Sequence, residues 1–332
     1  MRVAVADPPA FTPPYDHELC AALARAGAEV ELITSRFRFG EAPAPDGYRR
    51  REPFYPLSSR LFGRSRLRLP LKALEHPAGM TALAAASADV LHVQWLGLPE
   101  ADRLLLRSRA PLVFTAHDLL PRRTAARTKL WRALFDRFER VVVHSQRGRD
   151  TLAAFGVPEE RLRVIPHPVT PGDPGRADDG RTVLALGLVR PYKQLDHARE
   201  ATARAGATLR VAGDERAFLP EAEIDRALAA STVAVFPYRP ELDQSGALLR
   251  ALGAGLPAVV YDVGGLAEPV RAYGAGRVVA PDDVDALAAA LRELLEDEGA
   301  LEAARAGARR AREELTWDAF AQAHLDLYGE LA

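Results

Sequence analysis

The chain has 332 residues, roughly twice the length of a typical domain, so we expect two domains. Its hydrophobic content of 48% is enough for two cores, and its net charge of −1 gives no reason to expect a nucleic-acid partner. A single cysteine, Cys20, excludes an internal disulfide. No apolar run reaches the roughly 20 residues of a membrane span, and no secretory signal is evident, so we expect a cytoplasmic protein.

Charge is divided unevenly along the chain. Residues 1–170 contain 26 Lys and Arg against 18 Asp and Glu, a formal charge of +8, which leaves −9 for the remainder. Such asymmetry is a signal of charged partners. Because most of the cations are arginine, the base composition of the genome explains it equally well.

The first half alternates β-branched runs with helical stretches, which is the pattern of a parallel α/β sheet. The predicted strands are residues 2–6, 29–34, 90–94, 112–115 and 140–144. A helix predicted at about 16–26 joins the first two strands and ends at Gly27. We assign residues 1–170 to a first Rossmann-like domain.

A segment rich in proline, glycine and aspartate, 171–180, predicts a linker before a second series of elements. Strands are predicted at 183–187, 208–212, 233–236, 258–261 and 276–279, and long helices at 284–295 and about 301–331. We assign 171–310 to a second Rossmann-like domain and 311–332 to a C-terminal helix. Together the two series predict an α/β fold with two doubly wound domains.

A polar loop follows the predicted strand 233–236. It carries Glu241, Asp243, Gln244, Ser245 and Gly246, and a helix starts directly after it. Loops at the carboxyl ends of parallel strands are where α/β proteins bind ligands, and the first turn of a helix offers free N–H groups and a positive dipole end to an anion. The stretch therefore predicts a site for a phosphorylated ligand.

The same stretch resembles the donor site of retaining GT-B glycosyltransferases of glycosyltransferase family 4. Those enzymes continue with a G-x-P strand, here Gly255-Leu256-Pro257, and a D-V-G-G-x-x-E turn, here at 262–268. The resemblance covers nearly the whole chain. It implies the GT-B fold, with two Rossmann-like domains facing a central cleft and a C-terminal helix that crosses back to the first domain.

The resemblance also implies the reaction. A hexose-type sugar would pass from a nucleoside-diphosphate sugar to an acceptor hydroxyl, with retention of anomeric configuration and without a metal or other cofactor. Polysaccharide precursors, glycolipids and natural products remain open as acceptors. A nucleotide-sugar epimerase of the same architecture and a catalytically silent homologue that acts as a partner protein are the alternatives. A periplasmic sugar-binding protein also has two α/β lobes, but no export signal is evident.

Two cations follow the first strand of the second domain. Residues 186–193 resemble the G-x-x-R-x-x-K segment of the family, with Gly187, Arg190 and Lys193 at the matching positions. The resemblance implies that Arg190 and Lys193 contact the donor diphosphate. Breaking the sugar–phosphate bond puts negative charge on the leaving group, and fixed cations stabilise that charge where it develops.

The acidic residues depart from the family pattern. The family usually has two glutamates eight positions apart, and here Leu242 and Arg250 take those places. Asp243 or Glu241, which flank the first place, is expected to hydrogen-bond the sugar hydroxyls, and we favour Asp243. The amides of Ser245 and Gly246 are expected to face the phosphates, and Gln244 belongs to the same donor-binding loop.

A glycine turn completes the predicted donor side. Gly264 and Gly265 follow a strand, although any tight turn would also require glycine. Glu268 is expected either to cap the next helix or to meet the donor. Asp283-Val284-Asp285 fits a D-x-D metal pattern, but it opens a predicted helix, where aspartates cap free N–H groups, so we expect no metal there.

The predicted acceptor side lies in the first domain. His117 occupies the place where the family has a histidine beside the reacting sugar. We expect His92 and Trp95, at another strand end, to line the acceptor pocket, with core packing as an equal alternative. Prolines replace a glycine pair of the family after the first strand, so Tyr15 and Asp16 are expected to supply acceptor contacts. A helix N-cap is an equal alternative for Asp16.

The segment from Arg60 to Lys72 (RLFGRSRLRLPLK) mixes cations with leucines. Such a segment is suited to lie on an anionic membrane and to recruit a lipid-linked acceptor, which would make the protein peripheral at the inner membrane face. Because Gly63 and Pro70 interrupt a helix there, a mobile loop on the acceptor side is an equal alternative.

Overall fold

The computed structural model describes residues 1–38, 40–61, 68–121, 124–214, 219–240 and 244–332. They form two compact units. The first contains Met1–His144, Arg149–Pro166 and Trp317–Ala332, and the second contains Ser145–Gly148 and His167–Thr316. Glu241 and Asp243 of the predicted donor loop, and residues 62–67 of the basic segment, lie outside the described residues.

The described residues of the first unit contain a parallel seven-stranded sheet, in the order β3-β2-β1-β4-β5-β6-β7. Its strands are β1 (Arg2–Asp7), β2 (Glu29–Ser35), β3 (Arg49–Phe54), β4 (Val90–Val93), β5 (Leu112–Thr115), β6 (Arg140–Val143) and β7 (Leu162–Val164). β1 pairs with β2 on one side and β4 on the other, so the chain leaves the central strand in opposite directions. In such sheets, ligands bind at the carboxyl ends of the strands at this reversal.

The helices of the first unit cover the sheet. They are α1 (Pro13–Arg25), α2 (Arg68–Ala84), α3 (Pro99–Leu105), α4 (Thr128–Phe135), α5 (Gln146–Phe155) and, far along the chain, α12 (Trp317–Gly329). α1 starts three residues earlier than predicted because prolines suit the first helical turn. Phe320, Leu327 and Tyr328 of α12 share a buried cluster with Leu19 and Leu23 of α1.

The described residues of the second unit contain a parallel five-stranded sheet, in the order β12-β11-β10-β8-β9. Its strands are β8 (Thr182–Leu186), β9 (Thr208–Ala212), β10 (Val233–Phe236), β11 (Ala258–Tyr261) and β12 (Gly276–Val279). Its helices are α6 (Leu195–Arg204), α7 (Glu221–Ala229), α8 (Gly246–Gly253), α9 (Ala267–Tyr273), α10 (Val284–Glu296) and α11 (Glu298–Glu314). Here the reversal lies between β8, which carries Gly187 at its end, and β10.

One long predicted helix is two helices in the structure. α11 ends at Glu314, and α12 begins at Trp317. Thr316, a residue type favoured at helix N-caps, stands between them and is followed by an aspartate in the first turn of α12. The helical prediction of about 301–331 is therefore wrong at this break.

Candidate functional site

The reversal point of the second unit is built around Gly187. Its φ is +89°, a conformation that glycine adopts without strain. A Cβ added there would lie 2.9 Å from Lys193 Nζ and 3.5 Å from Ala247 Cβ in the first turn of α8. A Cβ added to Gly213, after β9, would lie 2.1 Å from the Gly187 carbonyl oxygen. The predicted cation and the start of α8 therefore meet at one glycine.

Lys193 is a buried cation. Its side chain is 7% exposed, and Nζ donates a hydrogen bond to the Leu186 carbonyl at 2.8 Å. Burial, and then the nearby charge of Arg190, lowers its pKa to about 8. Among the described residues, no carboxylate lies within 4.0 Å of this ammonium group, so its charge is balanced by no ion pair there.

Arg190 lies beside Lys193. It has an extended backbone just before a short turn, Pro191–Lys193, and its guanidinium donates to the Val189 carbonyl at 3.1 Å. Its charge acts on the Lys193 ammonium. The structure thus brings the two predicted cations together in the second unit.

The first turn of α8 completes this edge. Ser245 caps the helix, since its Oγ accepts a hydrogen bond from the Leu248 N–H at 3.3 Å. Among the described residues, which exclude 241–243, none would come within 4 Å of a Cβ added to Gly246. Gln244, the first described residue after the loop gap, is half-buried.

Sequence reasoning missed Tyr238. It follows β10, is 2% exposed, and lies 5.4 Å, ring centroid to Nζ, from Lys193. Burial raises the pKa of its phenol, which lies near Ser245 and makes no hydrogen bond of ordinary length among the described residues. Gly187, Val189, Lys193 and Tyr238 line a small depression. The sequence signal that could have identified Tyr238 is the triplet Phe-Pro-Tyr at the end of a predicted strand.

Glu268 has a role that neither prediction named. Its two carboxylate oxygens accept hydrogen bonds from the N–H groups of Gln146 and Arg147, both at 2.8 Å, in the part of α5 that belongs to the second unit. It therefore binds two backbone N–H groups within the second unit and does not cap the helix that follows it. Gly264 has a φ of +48°, so the turn at 264–265 does require glycine at its first position.

Two features noted in the sequence, the departure at Arg250 and the D-x-D pattern at Asp283, have structural explanations. Arg250, at the place of the family's second glutamate, forms ion pairs with Glu221 and, at 3.1 Å, with Asp225 of α7. Asp283 caps α10, because its carboxylate accepts a hydrogen bond from Ala286 N at 2.8 Å. The Arg250 ion pairs are thus a contact between α8 and α7. The Asp283 hydrogen bond confirms the capping interpretation of the D-x-D pattern.

The first unit gathers aromatic and polar residues at its own reversal point. Trp95 stacks on His117, with ring centroids 4.9 Å apart and planes 13° from parallel. Tyr15 meets the same imidazole edge-on at 4.7 Å. Trp95 Nε1 donates to Thr12 Oγ1 at 2.8 Å, and His117 Nε2 is hydrogen-bonded to Gln94 Oε1 at 3.0 Å. Tyr15, Trp95 and His117 are thus brought together, as a stacking platform requires.

A buried carboxyl pair lies beside this cluster. Asp7, which sequence reasoning missed, ends β1, and Asp16 lies in α1; both are at most 1% exposed. Asp7 Oδ2 accepts hydrogen bonds from Phe11 N at 2.7 Å and Thr12 N at 3.2 Å. Burial raises the pKa of both groups, and the Asp7 charge raises that of Asp16 further. Asp16 is therefore not the N-cap of α1, since the cap position belongs to Thr12.

His92 has a packing role. It is fully buried, with Nδ1 hydrogen-bonded to the Tyr328 hydroxyl at 2.6 Å and Nε2 to Thr115 Oγ1 at 2.7 Å. Both ring nitrogens are used inside the unit, so the core alternative describes this residue and the acceptor alternative does not.

The described residues contain neither a candidate membrane span nor a candidate metal-binding cluster. No helix there is both long and apolar enough to cross a bilayer. No three His, Cys, Asp or Glu side chains in the described part of the chain lie together as a metal site would require.

The two doubly wound units define the GT-B fold. The solved structure of sucrose-phosphate synthase from Thermosynechococcus elongatus matches with a TM-score of 0.79 at 19% identity, over 100% of this chain and 99% of that one. Anabaena HepE in complex with UDP-glucose matches with a TM-score of 0.70 at 16% identity, over all of both chains.

Sequence comparison identifies the family. The Glycosyltransferase Family 4 model matches residues 15–173, and the Glycosyl transferases group 1 model matches 183–297. The chain therefore belongs to the GT-B glycosyltransferases that these two models describe. An exopolysaccharide phosphotransferase of Streptomyces coelicolor is 30% identical over 188 residues, which cover 48% of this chain and 20% of that protein. The alignment thus spans about a fifth of this relative.

Proposed function

We propose that this protein transfers a hexose-type sugar from a nucleoside-diphosphate sugar to an acceptor hydroxyl, with retention of configuration. One observation carries the proposal: Lys193 and the first turn of α8 meet at Gly187, at the carboxyl ends of the paired strands β8 and β10, with the charge of Arg190 acting on Lys193. The family supports it, and so does the fold match to Anabaena HepE in complex with UDP-glucose.

The chemistry follows from the cations. A buried ammonium group without a carboxylate partner is costly, and a diphosphate would offset that cost. As the sugar–phosphate bond breaks, Lys193 and Arg190 stabilise the charge that grows on the leaving group. We propose that this phosphate oxygen accepts the proton of the incoming hydroxyl, so that no metal is needed. Asp243 or Glu241 remains our proposal for holding the sugar.

The first unit is proposed to hold the acceptor. Trp95 and His117 are both partly exposed and offer ring surface and a hydrogen-bonding group, while the buried Tyr15 ring supports the imidazole from behind. Sugars bind to such a platform through their C–H faces while their hydroxyls meet polar neighbours.

A panel of UDP, GDP, dTDP and ADP in a dye-monitored thermal shift assay tests the donor site. We expect one of them to raise the melting temperature by mass action; at a hundredfold excess over Kd, this amounts to about 2.7 kcal/mol. Arg190→Ala and Lys193→Met are each expected to lose most of that shift. Arg210→Ala, an exposed arginine on β9, is the control and is expected to keep it. Equal shifts in wild type and both variants would overturn the proposal.

A catalytically silent homologue is a second candidate. Arg250 occupies the place of a family glutamate and is engaged with α7, which favours loss of activity. Release of free sugar from the best nucleotide sugar, measured with and without pools of acceptors, separates the candidates. A silent homologue would show neither hydrolysis nor transfer.

A further inference from the structure

The outer face of α2 is apolar. Leu69 is 51% exposed and Leu74 is 78% exposed, whereas leucines of a surface helix normally face the core. The exposed positions recur once per helical turn, so they form one stripe along the helix. They are Leu69, Pro70, Ala73, Leu74, Pro77, Ala78 and Thr81. Because the solvent-facing stripe of a helix is normally polar, this one is suited to a contact with a partner.

A turn packed against α2 extends the apolar face. Within the turn, the Leu61 N–H donates to the Leu57 carbonyl at 2.9 Å. Glu75 of α2 accepts hydrogen bonds from Leu57 N at 2.6 Å and Ser58 N at 3.1 Å, which hold the turn beside the helix, next to Leu74. Leu57 and Leu61 are both exposed, so the turn adds two more leucines to the stripe.

These leucines dominate the exposed apolar surface of the protein. Four of the eight large hydrophobic side chains that are exposed in the described part of the chain lie here. We call this region the α2 surface. It consists of the exposed residues of α2 together with Pro56, Leu57, Arg60 and Leu61 of the turn.

The charges that border the α2 surface are mainly positive. Residues 55–61 and 68–84 contain three Lys and Arg, namely Arg60, Arg68 and Lys72, and one carboxylate, Glu75. The Glu75 oxygens are occupied by the two N–H groups of the turn. Arg60 is exposed and Arg68 is half-buried, and neither loses its charge near neutral pH. The α2 surface therefore combines exposed leucines with a positive border.

We propose that the α2 surface docks the protein on a lipid bilayer that contains anionic phospholipids. Interfacial binding depends on the apolar area buried among the lipids and on attraction between basic residues and acidic headgroups, and this surface offers both. A second copy of the chain fits less well, because a two-fold interface would bring Arg60 and Arg68 toward the same residues of the other copy.

The α2 surface adjoins the segment that follows Trp95. Lys72 Nζ lies 3.5 Å from the Gly97 carbonyl oxygen and 4.5 Å from the centroid of the Tyr55 ring. A Cβ added to Gly97 would lie 2.3 Å from the Tyr55 hydroxyl oxygen, so the two segments are in close contact. That the bilayer carries the acceptor rests on the proposed function; that the α2 surface binds anionic bilayers does not.

Co-sedimentation with vesicles tests the docking. The probes are vesicles of phosphatidylcholine alone and vesicles that contain equal parts of phosphatidylglycerol and phosphatidylcholine. We expect the protein to bind the anionic vesicles and to be released as salt is raised, because salt screens the attraction to the arginines. Binding to the anionic vesicles that is no stronger than to phosphatidylcholine would refute the proposal.

Leucine variants connect the binding to the α2 surface. Replacing both Leu69 and Leu74 by Ser is expected to weaken vesicle binding about tenfold or more, because two leucines no longer enter the lipid. Both are exposed, so folding should not depend on them. Leu104→Ser is the matched control. This leucine of α3 is 61% exposed and lies two positions after Asp102, and thus on the opposite side of α3 from the contact with His76.

A charge variant tests the positive border independently. Arg60→Gln is expected to weaken binding to the anionic vesicles about fivefold and to leave binding to phosphatidylcholine unchanged. Arg210→Gln, at an exposed position of β9 in the second unit, is the control. Loss of binding in the leucine and Arg60 variants but not in the two controls supports the α2 surface. Equal binding by wild type and the leucine variant refutes it.

Two further measurements separate this proposal from the others. Sedimentation velocity without lipid reports self-association, and a dimer that the leucine variant abolishes would assign the surface to a second copy and refute the bilayer. The thermal shift with UDP should be the same in the leucine variant as in wild type. Absence of that shift in wild type would count against the donor site and would leave the vesicle result as it stands.

Discussion

Lys193 is the residue on which the proposed donor site most depends. It gives up most of its hydration for one backbone hydrogen bond, and its pKa falls to about 8 as a result. Proteins rarely keep such a group unless its charge is used. Arg190 and Lys193 could be predicted to lie together because both are in one short segment. Tyr238 and the Asp7–Asp16 pair could not be found in this way, since their burial and proximity depend on strands distant in sequence.

Nucleotide affinity is expected to depend on pH through Lys193. Binding requires the ammonium form, which the free protein loses above its pKa of about 8, so the affinity for UDP should fall by up to tenfold per pH unit above that value. Calorimetric titrations between about pH 7 and pH 10 measure it. Stability of the free protein should move the other way, since the unfolded chain keeps this proton up to about pH 10.4.

Lys193→Met provides the control for that pH profile. Its residual affinity for UDP should be independent of pH, since arginine does not titrate in this range. A wild-type affinity that stays constant over the same range would contradict the role given to Lys193.

Gly187→Ala should weaken the proposed donor site by straining its backbone and displacing Lys193. An alanine at a φ of +89° is strained by about 1–2 kcal/mol, and its methyl group would displace the Lys193 ammonium, so we expect at least a tenfold loss of UDP affinity. Gly206→Ala is a matched control, with a φ of +67° and open space around the added atom. It should cost similar stability and leave UDP binding intact. Equal affinities in the two variants would refute the explanation.

At the scale of elements, hydrophobic pattern decided what the sequence could predict. The strands next to each reversal point are short, β-branched and buried on both faces, and they were predicted. β3 (RRREPF) was missed because only Phe54 of it is buried, and ion pairs hold it to β2, among them Arg51–Glu31 at 3.0 Å. β7 is too short, at three residues, to show a period.

The packing of α12 on the first unit's sheet is expected to depend on the Tyr328 hydroxyl. Tyr328→Phe leaves a buried nitrogen of His92 without its 2.6 Å partner, which should cost about 1–3 kcal/mol. Denaturant unfolding followed by tryptophan fluorescence measures it, since Trp95, Trp131 and Trp317 all lie in the first unit.

Tyr48→Phe is the matched control. Its hydroxyl is bonded to His17 at 3.1 Å, and His17 is partly exposed, so water can replace the lost partner and the cost should be smaller. Equal denaturant midpoints for Tyr328→Phe and wild type would show that the packing of α12 does not rely on the Tyr328–His92 hydrogen bond.

At the scale of the whole molecule, the two units repeat one plan with different chemistry. Each unit has the groups of its proposed site at the carboxyl edge of the sheet, beside the strand where the strand order reverses. In the second unit these are cations and a helix start, and in the first they are aromatic rings and carboxyl groups. The fold class was predictable because the alternation of strands and helices is written along the chain. The loop that holds Glu241 and Asp243 was predicted from its sequence pattern, and the sugar-binding role that the resemblance implies for it stays a proposal.

The assignment of α12 has a consequence for biosynthesis. Val3 and Leu19 share one buried cluster with Phe320 and Tyr328, although more than 300 residues separate the first of them from the last. A ribosome must therefore translate the entire second unit before the first can close its interior. Until then, the part of α1 that packs on α12 has no cover, and the nascent chain exposes apolar surface there.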